Sequence, residues 1–245
     1  MIIFEGVTKV AGGGEKKRNL LTAVQASLPS DRRIAIFARN EQDKKVFIDL
    51  LAGVVLPSAG RIVRKAQVSF PPGYLGGFTR GLSVRQNVAH VARIYGADVE
   101  AIVDFVSQIS GLGKDFSKLY GELPNTKKRY LSDILAFSIP FDVYLLNDDV
   151  VRAGGARYNK EARALFEART KTSGMFIASQ DLAFAREFCD TGLVLYDGQL
   201  RLFKNVERAI AFSEKAEEAP GGSREERRGA RKRKRKRLAQ ARSEE

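Results

Sequence analysis

From Met1 to about Ser213, short apolar runs alternate with segments whose apolar residues recur three and four apart, the periods of strand and helix. Ile2–Phe4 and Val24–Leu28 read as strands of a β-rich opening part, with Gly12–Gly14 as a turn. Arg33–Phe37 (RIAIF) is a short apolar strand, and Lys44–Ala52 behind it has helical spacing through Val46, Phe47, Leu50 and Leu51. Gly53 stands where a helix C-cap falls, and Pro57–Gly60 makes a turn before a strand at Arg61–Val63. From about Leu82 to Phe137 the pattern is mainly helical, over Val84–Tyr95, Val99–Ile109 and Lys127–Phe137. Asp142–Leu146, Gly174–Ala178 and Gly192–Tyr196 are brief and almost wholly apolar, as strands of a parallel sheet covered on both faces are. The order predicts an α/β architecture with an all-helical subdomain at about residues 80–137.

Composition narrows the chemistry. The 245 residues suffice for one well-filled domain, or a domain with a small subdomain. No apolar run approaches the roughly 18 residues that suggest a membrane span, and Met1–Glu5 does not open a signal peptide. One cysteine, Cys189, excludes an internal disulfide framework and reads as a buried, inert thiol suited to a reducing cytoplasm. One histidine, His90, argues against a histidine-based metal cluster or a Ser–His–Asp triad. The formal charge is +13, and from Glu217 onward 11 Lys or Arg stand against 6 Glu. Arg231–Arg237 is an unbroken basic run that repels itself and buries no apolar face, so residues 214–245 are expected to be a disordered tail. Such a run suits anionic lipid head groups, nucleic acid or an acidic polymer, or simply keeps the chain in solution.

The stretch that points to a ligand runs from Arg33 to Lys45: a strand enters a loop that ends in Lys44 and opens a helix. That is the setting of a P-loop, G-x-x-x-x-G-K-[ST], in which glycine backbone N–H groups wrap phosphates and the helix N-terminus adds its dipole. Here the spacing reads Ala38-Arg39-Asn40-Glu41-Gln42-Asp43-Lys44-Lys45, so only Lys44 fits.

Further anchors carry a wider resemblance: Leu50–Ile62 (LLAGVVLPSAGRI), Asn87–Gly96 (NVAHVARIYG), Phe141–Leu145 (FDVYL), Gly155–Tyr158 (GARY) and Cys189–Phe212. Together, in this order, they resemble the ATPase subunits of ABC exporters for capsular and related surface polysaccharides. The resemblance implies an ABC-type nucleotide-binding-like domain over residues 1–213, with ATP and Mg²⁺ as ligands, a membrane permease as partner and a place on the cytoplasmic face of the inner membrane. It also implies a dimer, either with itself or with an active ATPase paralogue.

Carried over by residue, the resemblance makes Arg39, Asn40, Asp43, Lys44 and Lys45 the phosphate-binding positions. Glu41 and Asp43 stand where glycine is expected, and a carboxylate about 4 Å from a phosphate is repelled by roughly 4 kcal/mol per unit-charge pair at an effective dielectric near 20. Lys45 replaces the hydroxyl that coordinates Mg²⁺ and has no lone pair to offer. The signature turn falls at Pro124–Lys127, with Asn125 and Thr126 at its centre. The closing acidic pair falls at Asn147–Asp148 or, with one inserted residue, at Asp148–Asp149. The second, which brings Val150–Tyr158 into register, makes Asp148 the metal-facing acid and Asp149 the shortened general base, and Gln180 takes the place of the switch histidine. No aromatic platform stands near Asn19, and no glutamine at the expected place after Phe70. These changes together imply a subunit that hydrolyses ATP weakly or not at all. Two readings of the corner stay open: Lys44 and Lys45 neutralise phosphates without metal, or Glu41 and Asp43 pair with these lysines and close it. A non-transport, P-loop-like regulatory protein whose tail binds nucleic acid or anionic membrane is the alternative function.

Overall fold

A computed structural model describes residues 1–12, 17–71, 77–147, 160–179 and 181–218, with backbone alone for 147, 160–163 and 217–218. Two sheets organise these residues. Strands β1 (Ile2–Ala11), β2 (Arg18–Leu28) and β4 (Ala59–Arg64) form an antiparallel sheet in the order β2-β1-β4. The second sheet comprises β3 (Arg33–Phe37), β5 (Val143–Asn147), β6 (Gly174–Ala178), β7 (Thr191–Tyr196) and β8 (Gln199–Phe203). Its order is β5-β6-β3-β7-β8, parallel except for β8, which returns antiparallel to β7.

Strand β3 is apolar throughout its interior because it faces two cores. Ile34 and Ile36 face the antiparallel sheet and helix α1 (Glu41–Ala52), while Ala35 and Phe37 face the helical side. Neighbouring β6 divides in the same way, Phe176 and Ala178 to one core, Met175 and Ile177 to the other. Period-two alternation is therefore invisible in the residue types, as expected for strands covered on both faces. Phe47, Ile48, Leu50 and Leu51 of α1 are buried between the sheets, and Phe47 stacks on Phe4 at a centroid distance of 6.0 Å. Each such side chain contributes about 1.5–3 kcal/mol of burial.

The opposite core holds α2 (Val84–Ile94), α3 (Val99–Ile109), α4 (Asn125–Ser138) and α7 (Val206–Glu218), joined by flanking residues of α5 (Lys160–Thr172) and α6 (Leu182–Phe188). Ser83 and Gln86 form a reciprocal capping box at the start of α2, and Asp98 caps α3 through Ala101 N–H at 3.0 Å. Fully buried Asn87 pins the preceding loop. Its Oδ1 accepts from Thr79 N–H at 2.7 Å, and its amide donates to the carbonyls of Thr79, Leu82 and Ser83.

Arg33–Phe37, Val99–Ile109 and Gly174–Ala178 match the sequence-based limits, while other elements extend beyond them. Helix α1 begins at Glu41 rather than Lys44, because Asn40 caps it: Oδ1 accepts Asp43 N–H at 2.9 Å. Strands β1 and β2 outrun the short apolar runs because backbone pairing carries their half-exposed polar residues as far as Ala11 and Arg18. Helix α7 runs to Glu218, past the boundary expected after residue 213. Gly13 and Gly14 of the expected turn, the segment 155–158 and the basic run 231–237 lie outside the described residues.

The C-terminus of α1 shows how the antiparallel sheet steadies this helix. Gly53 adopts the left-handed cap at φ 78°, its N–H donating to Leu50 O, yet the last turn carries no basic residue. Arg64 at the end of β4 supplies one: Nε donates to Leu51 O at 2.7 Å and Nη2 to Leu50 O at 2.6 Å. Replacing Arg64 by methionine keeps the apolar stem and removes both donors, and is expected to lower stability by about 1 kcal/mol in urea unfolding. Arg64→Lys should recover less than half of that loss, because an ammonium does not reproduce the two-pronged contact.

Candidate functional site

In this parallel sheet the carboxyl ends of β5, β6 and β3 stand side by side, with Asn147 paired to Ala178 and Ala35 to Ile177. Open α/β sheets place ligands outside such ends. Between Phe37, the last residue of β3, and Glu41, the first of α1, only residues 38–40 intervene.

That connector is tightly organised. Its central device is the Asn40 cap, which takes the Asp43 N–H, while Lys44 N–H donates to Asn40 O at 3.4 Å. Two donors that a phosphate would seek at the helix start are therefore engaged inside the turn. Asp43 is 3% exposed; its carboxylate pairs with the Arg18 guanidinium from β2 and accepts from Asn40 Nδ2 at 3.1 Å. Lys44 is 6% exposed, with Nζ 2.9 Å from Glu41 Oε1 and donating to Ser179 O, just beyond β6, at 3.0 Å. Lys45 is exposed and pairs with Asp49 one turn on, at 2.7 Å.

Asn40, Asp43 and Lys44 thus converge, while Lys45 lies outside the cluster. Half-buried Arg39 stands in the connector. Asp43 turns to an arginine rather than a lysine and Lys45 turns to Asp49, while the expected Glu41–Lys44 pairing is present. The Lys45–Asp49 pair has helical i,i+4 spacing and was legible in the sequence. Arg18 and Ser179 were not: they lie 25 and 135 residues from their partners, and no motif marks them.

Asn125 and Thr126 occupy the exposed first turn of α4, behind Pro124, where no side chain caps the helix. Two short 3-10 turns, Gly113–Ser117 and Tyr120–Glu122, support this turn. Asp115 lies 2.7 Å from Lys118 Nζ and 2.6 Å from Lys127 Nζ, tying the first 3-10 turn to α4. Lys128 Nζ donates to Gly121 O at 3.0 Å and lies 5.4 Å from the centroid of the Tyr120 ring, whose hydroxyl burial pushes up to about 12. Asp148, Asp149 and Gln180 lie outside the described residues. Among the described residues no group of three or more His, Cys, Asp or Glu could hold a metal ion. Cys189 is buried, and that burial pushes its thiol up to about 12, as an inert core residue requires.

At this corner carboxylates stand beside Arg18 and Lys44, the Asp43 N–H is taken by the Asn40 side chain, and Lys45 offers no lone pair to Mg²⁺.

No protein-family model matches the chain. The polysialic acid transport ATP-binding protein KpsT of Escherichia coli is 28% identical over 213 residues, covering 86% of this chain and 95% of that protein. The capsule polysaccharide export ATP-binding protein CtrD of Neisseria meningitidis serogroup B is 27% identical over 213 residues, covering 86% and 98%. Over most of its length, this chain's homologues are capsule and polysaccharide export ATP-binding proteins. Solved structures agree on the fold. An ATP-binding subunit of an ABC transporter superposes with a TM-score of 0.63 at 16% identity, covering 92% of this chain and 97% of that one. The cassette MJ0796, in a dimeric post-hydrolysis state bound to ADP and Pi, gives 0.59 at 13% identity, covering 82% and 97%. The architecture is that of an ABC ATPase cassette, with α2, α3 and α4 in its helical part.

Within this cassette, the Asp115 tie gives the helical part a measurable pH dependence. Hydrogen bonds from Lys118 and then Lys127 lower the Asp115 carboxyl from 3.8 to about 2. A depressed carboxyl contributes stability above its ordinary pKa and loses it as pH falls through the folded value. The gap in thermal stability between wild type and Asp115→Asn should therefore be widest above pH 3.8 and close as pH falls towards about 2.

Proposed function

We propose that this chain is the nucleotide-binding-domain-like subunit of a polysaccharide export ABC transporter, and that it hydrolyses ATP weakly or not at all. The transport assignment is supported by homology to export ATP-binding proteins at 27–29% identity across most of the chain. The weak hydrolysis is supported by one arrangement, the Glu41–Lys44 and Asp43–Arg18 pairs that stand where phosphate would sit. These homologues do not favour the alternative of a non-transport regulatory protein.

The subunit works as one face of a dimer, with itself or with an active paralogue, against a membrane permease. In a mixed dimer each composite site joins one chain's P-loop position to the other's signature position, so the first turn of α4, with Asn125 and Thr126, serves a nucleotide held by the partner. The chain sits on the cytoplasmic face of the inner membrane. No helix among the described residues is long and apolar enough to cross a membrane. The basic run Arg231–Arg237 adds an electrostatic hold on anionic lipid, worth about 1 kcal/mol per basic residue near the surface. In the mixed dimer, ATP and Mg²⁺ are held chiefly by the active paralogue's P-loop; by resemblance, Asp148, Asp149 and Gln180 stand at the sequence positions of the metal-facing acid, base and switch residue.

Two measurements test this. Affinity purification of the tagged chain should recover a membrane permease, with or without a second ATPase; recovery of neither sinks the transport assignment. Turnover of the purified chain alone should fall at least about 100-fold below the ~1 s⁻¹ at the low end of ordinary enzymes. An ordinary turnover number would overturn the claim of weak hydrolysis.

A further inference from the structure

Lys44 and Asp43 are both buried, and each already has its counter-ion within the chain. A buried ammonium without an anion is costly, and in a P-loop the missing anion is the ligand's phosphate. Here the anion is tethered three residues away on the same helix turn, so its effective concentration far exceeds that of any free ligand. Asp43 lies in the first turn of α1, where a carboxylate also meets the helix dipole favourably.

We propose that Glu41 and Asp43 are built-in phosphate mimics: their carboxylates fill the anion positions of the β3–α1 corner and hold the cassette together without nucleotide. The Asp43–Arg18 pair joins α1 to the antiparallel sheet. Lys44, held by Glu41, donates to Ser179 O and so joins the same helix turn to the end of β6. Ser179 in turn accepts from Asp181 N–H through its hydroxyl at 2.9 Å, and Asp181 caps α6 through the N–H groups of Ala183 and Phe184. The corner is a latch that spans both sheets and the loop behind β6. It is autoinhibitory towards phosphate because a ligand must displace carboxylates that cannot diffuse away.

This inference rests on the reading of the chain as a nucleotide-binding-domain-like subunit, but it is tested without turnover or transport. The probe is inorganic pyrophosphate in EDTA, titrated calorimetrically into the full-length protein. Wild type should show no binding and no rise in Tm at millimolar pyrophosphate. Glu41→Gln/Asp43→Gly should bind at least about tenfold tighter than wild type, since two repulsive charges are removed from the corner. Its Tm should rise with pyrophosphate, and adding Lys44→Ala should abolish the gain. The single Glu41→Gln keeps the Asp43–Arg18 pair and must also gain binding through the released Lys44, so it decides the matter if the double variant does not fold. Pyrophosphate binding by wild type within about tenfold of the double variant overturns the proposal. So does a folded variant that gains nothing. Either result leaves turnover and permease recovery, and hence the transport reading, untouched.

Discussion

Helix α1 is gripped at both ends by arginines from the antiparallel sheet. At its start, Arg18 from β2 meets the Asp43 carboxylate; at its end, Arg64 from β4 meets the carbonyls of Leu50 and Leu51. Between these grips, Phe47, Ile48, Leu50 and Leu51 fill the space between two sheets. The polar contacts orient the helix and the apolar ones hold it. Strand β3 makes the arrangement possible, because its alternate residues serve both cores and its end sets where the helix begins. Position and chemistry at the corner therefore come from the same few residues.

The two ends of α1 use opposite electrostatics. An arginine suits a helix C-terminus directly, since the last carbonyls carry the negative end of the dipole. At the N-terminus an arginine alone would be misplaced, and Asp43 stands between it and the helix as an intermediary. The pair is lopsided: removing Arg18 strands the buried Asp43 carboxylate and is costly, whereas removing Asp43 leaves an arginine that water can still reach. The acid at position 43 thus has a structural role of its own.

How much of this was legible in the chain depends on sequence distance. Arg33–Phe37 could be delimited because the apolar run Ile34–Ala38 lies between Arg33 and Arg39. Val99–Ile109 could be read from its three-and-four spacing and the Asp98 cap. The start of α1 was misplaced because the P-loop frame puts a loop as far as Lys44, whereas Asn40, a good N-cap, already announced a helix. The Glu41–Lys44 pair follows from helical spacing; Arg18 and Ser179 follow only from topology, since strand order brings them to α1. Sequence reasoning found the corner and its oddity but not the groups that complete it.

The Lys44 contacts have a consequence for substitution. Without Glu41, the Lys44 ammonium stays buried beside the Ser179 carbonyl and loses the Glu41 carboxylate. Changing both residues together strands neither charge, so the two positions are coupled and the double change costs less than the sum of the single ones.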